Sequence, residues 1–382
     1  MAENRAAITP DSSLRLWVAA GGRCEYCNEY LLADGFTGYE LNLAEQAHIV
    51  GASDAPGSPR GAADMPLTAR AKPENLMLLC RTHHRVIDRL IAEHTVEGLR
   101  RMKREHEARI LALTAITAER GTVVLRVIGT VRGSPVQITR STVAAAVTAD
   151  GRFPRYPLAL AGEDIEIDLR NLPDEGGAAY WTVGERIIQQ AAQRIRHAQG
   201  PIAHLSVFAI ARIPLLVALG FHLDDKIAAT IYQRRRDGTG DGEWLANPNV
   251  PTVSFEEHRL SGEQGSSRVA LAVSLTAPIG HEVTTSVEDD TTVYEIAPRA
   301  IPYGRDVLHA PQSLANFAET YHRLLARIEQ EHPSCAEMQL FPACPASAAI
   351  TLGRGAMRHA QPALIVYDRT TEGSFQHALD LR

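Results

Sequence analysis

The chain has 382 residues, 45% of them hydrophobic and 22% charged, with a formal net charge of −6. That length suits two or three domains, and that composition excludes disordered and collagen-like chains. Net acidity neither favours a nucleic-acid partner nor excludes one, because phosphate binding needs only a local basic surface. Five cysteines in a chain this long argue against a disulfide scaffold. Cys335 and Cys344 stand alone and read as small buried hydrophobes. No apolar run is long enough to span a bilayer, since Arg212 and Pro214 interrupt "SVFAIARIPLLVALG". The start, "MAENRAAITPDSS", lacks the basic and apolar regions of a signal peptide, so a cytoplasmic location without membrane partners is expected.

Residues 12–30 predict a short helix running into a cysteine turn. "NLAEQAHIVGAS" predicts a strand followed by a Gly/Ser/Pro-rich loop through about residue 68. After "NLMLLC", the stretch "HHRVIDRLIAEH" carries Val86, Ile87, Leu90 and Ile91 at helical spacing. "TVEGLRRMKREHEARILALTAITAE" predicts a further helix, and a domain boundary is expected near residues 115–125. Its segment "RRMKREHEAR" reads as a solvated face that could also offer phosphates a basic surface.

Beyond the boundary, "TVVLRVIGTV" and "PVQIT" are strand-like and "GRFPRYPLA" is an irregular loop. Then come "GERIIQQAAQRIRHA" (helix), "IAHLSVFAIA" (strand), "PLLVALGFHL" (helix) and "KIAATIYQ" (strand). A similar order returns in "RVALAVSL" and "VYEIA" (strands), "SLANFAETYHRLLARIEQEH" (helix), "AEMQLFPA" (strand), "SAAITLGRGAM" (helix) and "PALIVYD" (strand). Alternating strands and helices imply crossovers and mainly parallel sheets. The expected fold is therefore α/β, with two doubly wound halves over 119–265 and 266–382. No "GxGxxG" is present, so a dinucleotide-dependent dehydrogenase has little support.

"CEYC" supplies Cys24 and Cys27, and "CRTHH" supplies Cys80 with His83 or His84. Two turns that each place two soft ligands within reach of one ion suit a tetrahedral structural Zn²⁺. The two-residue spacer favours His83 as the partner of Cys80. A redox pair at Cys24 and Cys27 is the competing reading, without a thioredoxin-like pattern around it. Four-fold ligation leaves no open position for a reactive water, so the zinc accounts for one histidine only.

"AHIV" with His48, "ENLMLLC" with Asn75 and "HHRVID" with His84 resemble the signature positions of the HNH endonuclease family. The resemblance covers roughly residues 12–95 and implies an α+β, ββα-metal nuclease module over 1–118. It implies that His48 is the general base, that Asn75 braces the loop presenting it, and that His84 binds a catalytic divalent ion such as Mg²⁺. Histidine suits the first task because its pKa lies near neutrality. The ion stabilises the developing charge. Asp88, one helical turn beyond His84, is a candidate second metal donor. The family usually offers a carboxylate or histidine just before the base, where this chain has Ala47. Glu45, one pleat away on the same strand face, is the candidate replacement.

The remaining two thirds resemble the SAVED domain of bacterial antiphage signalling, through "HLSVFAIARIPLLVALG", "IYQRRRDGTGDGEW", "LFPACPASAAITLGR" and "PALIVYD". Together the two parts resemble the HNH–SAVED effector nucleases of bacterial CBASS immunity. That resemblance implies two fused Rossmann-like, CARF-like subdomains binding a cyclic di- or oligonucleotide made by a partner synthase. It also implies homodimers that assemble further on activation and degrade double-stranded DNA. Ligands of open α/β sheets bind beyond the carboxyl ends of strands. Here that region offers Arg212, Pro214, Tyr232, Gln233, Arg234, Ala277, Pro345 and Ser347, with Trp181 and Trp244 as possible stacking partners. Two other readings compete: a modification-dependent restriction endonuclease, and a catalytically degenerate zinc-stabilised DNA-binding protein, to which Ala47 lends weight.

Overall fold

The computed structural model describes residues 7–131, 134–155, 165–198, 202–235, 243–246, 249–357, 361–370 and 373–382. The chain divides into two compact units, Met1–Thr117 and Ala118–Arg382.

In the first unit, α1 (Pro10–Ala20) starts where the Thr9 hydroxyl accepts the Ser12 N–H at 3.1 Å. It stops at Gly21, whose left-handed φ of 64° costs glycine little. β1 (Ala44–His48), the short α2 (Leu67–Arg70), β2 (Leu76–Cys80), α3 (Arg81–Arg89) and α4 (Val96–Thr114) follow. β1 and β2 pair antiparallel, with His48 opposite Leu76 and Ala44 opposite Cys80. β2 is buried throughout, and α3 begins on the next residue, so the hairpin feeds directly into a helix. Leu16, Leu76, Leu79, Ile87 and Leu99 form the centre of this unit's core. Each such side chain contributes about 1.5–3 kcal/mol by leaving water.

The second unit opens with β3 (Gly121–Ile128), β4 (Thr130–Val131), β5 (Ser134–Pro135), α5 (Arg140–Ala149), β6 (Phe153–Pro154) and β7 (Ile165–Asp168). It continues with α6 (Ala178–His197), β8 (His204–Ile210), α7 (Ile213–Leu223) and β9 (Ala228–Tyr232). The first sheet runs β6-β3-β8-β9, with β7 also on β3, and every pairing is parallel. Then come β10 (Phe255–Ser261), β11 (Val269–Ser274), α8 (Gly280–Ser286), β12 (Thr292–Pro298) and α9 (Pro311–Glu331). β13 (Glu337–Ala343), α10 (Ala346–Gly355), β14 (Ala363–Arg369) and β15 (Phe375–Leu381) complete the chain. Their sheet runs β10-β12-β11-β13-β14-β15, parallel in its four central strands and antiparallel at both edges. β3, β8 and β11 are almost wholly buried, as strands covered on both faces must be.

The two halves are copies of one pattern. β8 and β13 (from 204 and 337), α7 and α10 (from 213 and 346) and α6 and α9 (from 178 and 311) keep one common offset. α7 and α10 pack against each other through glycine. A Cβ on Gly220 would lie 2.0 Å from the Ile350 carbonyl oxygen, and one on Gly353 would lie 1.9 Å from that of Val217. Gly220→Ala is therefore expected to cost at least the 1–3 kcal/mol typical of overpacking, read as a lowered Tm for the second unit. An unchanged Tm would mean that the helices separate freely.

Three expectations need correction. The second half begins before 266, because β10 pairs with β12. That strand is half exposed and polar, so no apolar run marked it. "PVQIT" is not a strand beyond Pro135: Thr139 accepts the Thr142 N–H at 3.3 Å and caps α5. "GRFPRYPLA" contains the short β6. Its residues from Tyr156 onward lie outside the described residues, as does Arg236 of "IYQRRRDGTGDGEW". Among the described residues, no helix is long and apolar enough to cross a membrane.

Candidate functional site

Cys24, Cys27, Cys80 and His83 bring their sulfur and ring-nitrogen atoms within 4.8 Å of one another and could hold a metal ion. Cys24 and Cys27 lie on a turn closed by the Asn28 N–H to the Cys24 carbonyl at 2.8 Å. Cys80 ends β2, and His83 sits in the first turn of α3, its ring nitrogen Nδ1 3.1 Å from the Cys80 Sγ. Tetrahedral zinc with Zn–S bonds of about 2.3 Å sets its sulfurs about 3.8 Å apart, a spacing these side chains can meet. Tyr26 stacks on the His83 ring at 4.2 Å and orients it. Burial, with Cys24 alongside, pushes the Cys27 thiol up to about 12, and burial likewise raises Cys80. Thiols crowded this closely resist ionisation, and a bound cation reverses that balance.

The neighbouring imidazole faces other partners. His84 Nδ1 is 2.6 Å from Glu45 Oε2, and its Nε2 is 3.3 Å from Asp88 Oδ2. The bond to Asp88, then that to Glu45, raises the His84 pKa against the opposing effect of burial. Burial pulls the Asp88 pKa upward, but its bonds to His84 and Arg60 win and hold it below the usual range. The two carboxylates approach opposite nitrogens of one ring, so His84, Glu45 and Asp88 do not converge as three ligands. An ion at His84 would take one nitrogen and one carboxylate. The other carboxylate would orient the ring through its remaining N–H, the usual arrangement behind a metal-bound histidine.

His48 ends β1 with the residue 9% exposed, and Ala47 beside it is fully buried. Behind them Asn75 makes a closed amide pair. Its Oδ1 accepts the Val50 N–H at 2.9 Å and its Nδ2 donates to the Val50 carbonyl at 2.9 Å. Nδ2 also donates to the Arg70 carbonyl at 2.9 Å, and the Asn75 carbonyl accepts the Ile49 N–H at 2.8 Å. The two residues after His48 are thus tied to one buried residue, Ile49 to its backbone and Val50 to its side chain. Asn75→Ala is expected to leave the Val50 amide groups unsatisfied, a loss of about 1–3 kcal/mol for each orphaned group. Chemical denaturation of the chain should show a lower midpoint, with Asn75→Asp intermediate because it retains one acceptor.

Two arginines were not anticipated. The buried Arg60 side chain donates to the carbonyls of Ile49 (2.6 Å) and Ile87 (2.7 Å) and to Asp88 (2.8 Å), linking the His48 loop to α3. Arg70 donates to the carbonyls of Met65, Gly51, Ser53 and Gly61 at 2.8–3.1 Å and holds the intervening loop closed. Only an arginine inside a loop otherwise short of backbone partners would have hinted at this. In α4, Lys103 is buried beside Glu25 (3.7 Å) and Glu107 (2.5 Å), and His106 Nε2 lies 3.0 Å from the Ala20 carbonyl. Arg101 and Arg104 remain on the exposed face.

At the carboxyl edge of the second unit, Arg212 and Pro345 immediately precede α7 and α10, with buried Pro214 and Ser347 in the respective first turns. Arg212 pairs with Asp368 and, at 3.4 Å, with Glu175. Ser347 donates through its backbone N–H (3.2 Å) and its hydroxyl (2.7 Å) to Gln233 Oε1. Arg234 pairs with Glu243 at 2.8 Å, and the half-buried Ala277 packs against the apolar cluster that contains Ile279 and Phe341. The aromatic candidates are corrected. Trp181 and Trp244 are each 2% exposed. The Trp181 indole N–H donates to the Gly176 carbonyl, and Trp244 meets Phe208 edge-on at 5.2 Å. Tyr232 is stacked on Phe208 at 4.2 Å. All three are core aromatics with no face open to a base.

Residues 185–381 match the family model described as the SMODS-associated and fused to various effectors sensor domain, abbreviated SAVED. The chain belongs to the SAVED family. The SAVED match runs from α6 to β15 and so contains both glycine-packed helices and most of the carboxyl edge. Among solved structures, the chain is similar to the Acinetobacter baumannii Cap4 SAVED/CARF-domain containing receptor with the cyclic trinucleotide 2'3'3'-cAAA. There the TM-score is 0.46 at 12% identity, covering 79% of this chain and 61% of that one. It is also similar to the Moraxella osloensis Cap4 receptor, with a TM-score of 0.41 at 10% identity, covering 78% and 60%. The chain thus spans about three fifths of those receptors' lengths. No curated protein matches it.

Proposed function

We propose that this SAVED chain is a ligand-switched, metal-dependent DNA endonuclease of the CBASS type. In this reading the first unit cuts and the second senses a cyclic oligonucleotide. The supporting observation is the closed amide pair between Asn75 and Val50 directly behind His48, on a hairpin that runs into the helix bearing His84 and Asp88. A general base must be held in one orientation while it takes a proton from water, and this bracing does that. His48 takes the proton, Asn75 fixes the backbone after it, and Arg60 ties that backbone to α3. His84, with Glu45 or Asp88, holds the divalent ion, whose charge stabilises the phosphate oxygens. Cys24, Cys27, Cys80 and His83 hold a structural zinc that fastens the start of α3 to the cysteine turn.

Purified chain incubated with plasmid and Mg²⁺, with and without cyclic dinucleotides, tests the reading. Cleavage of unmodified DNA should require the nucleotide. Equal cleavage without it would remove the sensing role, and a strict need for methylated DNA would support the restriction reading instead.

A further inference from the structure

At the carboxyl edge of the SAVED domain, the groups best suited to bind phosphate are already occupied by the protein's own oxygens. Arg212, which follows β8 in the first half, donates to Asp368 near the end of β14 in the second. The Asp368 side chain is only 9% exposed, and the guanidinium also lies 5.4 Å over the Trp181 ring. The same exchange occurs in the other direction. Gln233, just after β9, accepts both the backbone N–H and the hydroxyl of Ser347 in the first turn of α10. In each case a residue at a strand end of one half takes the donors at a helix start of the other. A further cross-half bond, Gln376 Nε2 to the Gly176 carbonyl at 3.0 Å, lies beside the Arg212 pair.

A guanidinium, a hydroxyl and a helix-start amide are strong donors for phosphate. A phosphate can use them only if the present acceptors leave, and their leaving removes three of the bonds joining the halves. We propose that Asp368 and Gln233 are an internal plug of the sensor site, displaced when phosphate groups of the ligand take over Arg212 and Ser347, so that binding loosens the two halves at this edge. This rests on the proposed phosphate-bearing ligand and adds how its arrival is registered. Apparent affinity is the intrinsic affinity multiplied by the fraction of molecules whose site is open, so weakening the plug must tighten binding.

The test uses the full chain as wild type, Asp368→Asn, Gln233→Ala and Arg212→Ala, with cyclic di-AMP, cyclic tri-AMP and pyrophosphate as probes. Ligand-free melting curves establish that each variant folds, and the less buried Gln233 serves if Asp368→Asn does not. Asp368→Asn or Gln233→Ala should bind a probe at least about tenfold more tightly than wild type, and Arg212→Ala should lose binding. Cyclic nucleotides that bind wild type and plug variants equally would overturn the plug while leaving the sensor reading intact. Pyrophosphate bound more tightly by the plug variants, with no cyclic nucleotide bound, would uphold the plug and overturn the ligand class. Folded plug variants that bind none of the probes would overturn the plug.

Discussion

If Cys24, Cys27, Cys80 and His83 hold zinc as proposed, replacing Cys80 with alanine is expected to release the metal and unfold the first unit. Cys80 joins the buried strand β2 to α3, and two of the other three ligand residues come from the turn at Cys24–Cys27. Loss of one thiolate leaves an incomplete set, and in small zinc modules the metal's binding energy is folding energy of about 10–16 kcal/mol. That is comparable to the whole stability of a typical domain, about 5–15 kcal/mol. Metal content measured by plasma mass spectrometry should fall by one equivalent, and proteolysis of the first 117 residues should accelerate. Cys335→Ala, in the second unit, should change neither. A Cys80→Ala chain with full metal content and full cleavage activity would refute the zinc knuckle.

His84→Ala is expected to separate the two adjacent imidazoles by function. His83 faces the cysteines and His84 faces Glu45 and Asp88, so the variant should retain its zinc and its fold. If His84 holds the catalytic ion, losing about 4 kcal/mol of charge stabilisation slows cleavage about a thousandfold. His83→Ala should show the reverse signature, with zinc lost first and activity following. The raised His84 pKa adds a pH dependence. Ion pairing of the imidazolium stabilises the fold below the ordinary histidine value and fades as pH rises through the raised one. A divalent ion needs the neutral ring, so cleavage should require more Mg²⁺ as pH falls through that raised value. Undiminished cleavage by His84→Ala would remove the metal assignment.

The ββα order of the first unit was legible because each element carries a local signal. "LMLLC" is a buried strand, and α3 and α4 follow it at helical spacing. The repeated α/β pattern of the second unit was legible for the same reason, since its central strands are largely apolar, β3 broken only by Thr122 and Arg126. Edge strands were less so: β10 and β7 alternate or lean polar and look like loop. Spacing separated His83 from His84, yet it could not reveal Arg60 and Arg70, whose partners are backbone carbonyls dispersed along the chain and, for Arg60, the Asp88 carboxylate on α3. Trp181 and Trp244 were misplaced because residue type suggests stacking but does not encode which neighbour already fills the ring's faces. Glu45 lies at His84, a contact that required the β1–β2 register to be known.

The contact of α7 and α10 at Gly220 and Gly353 has a mechanical meaning. The backbones approach most closely at these glycines, which makes the crossing a fulcrum and each helix a lever with unequal arms. From Ile213 to Gly220 the arm is about 10 Å, and from Gly220 to Leu223 it is about 4–5 Å. A displacement at the helix starts would therefore reach the opposite edge of the domain reduced by about half and reversed in direction. Bulk added at either glycine would jam this lever, whatever happens at the ends of its arms.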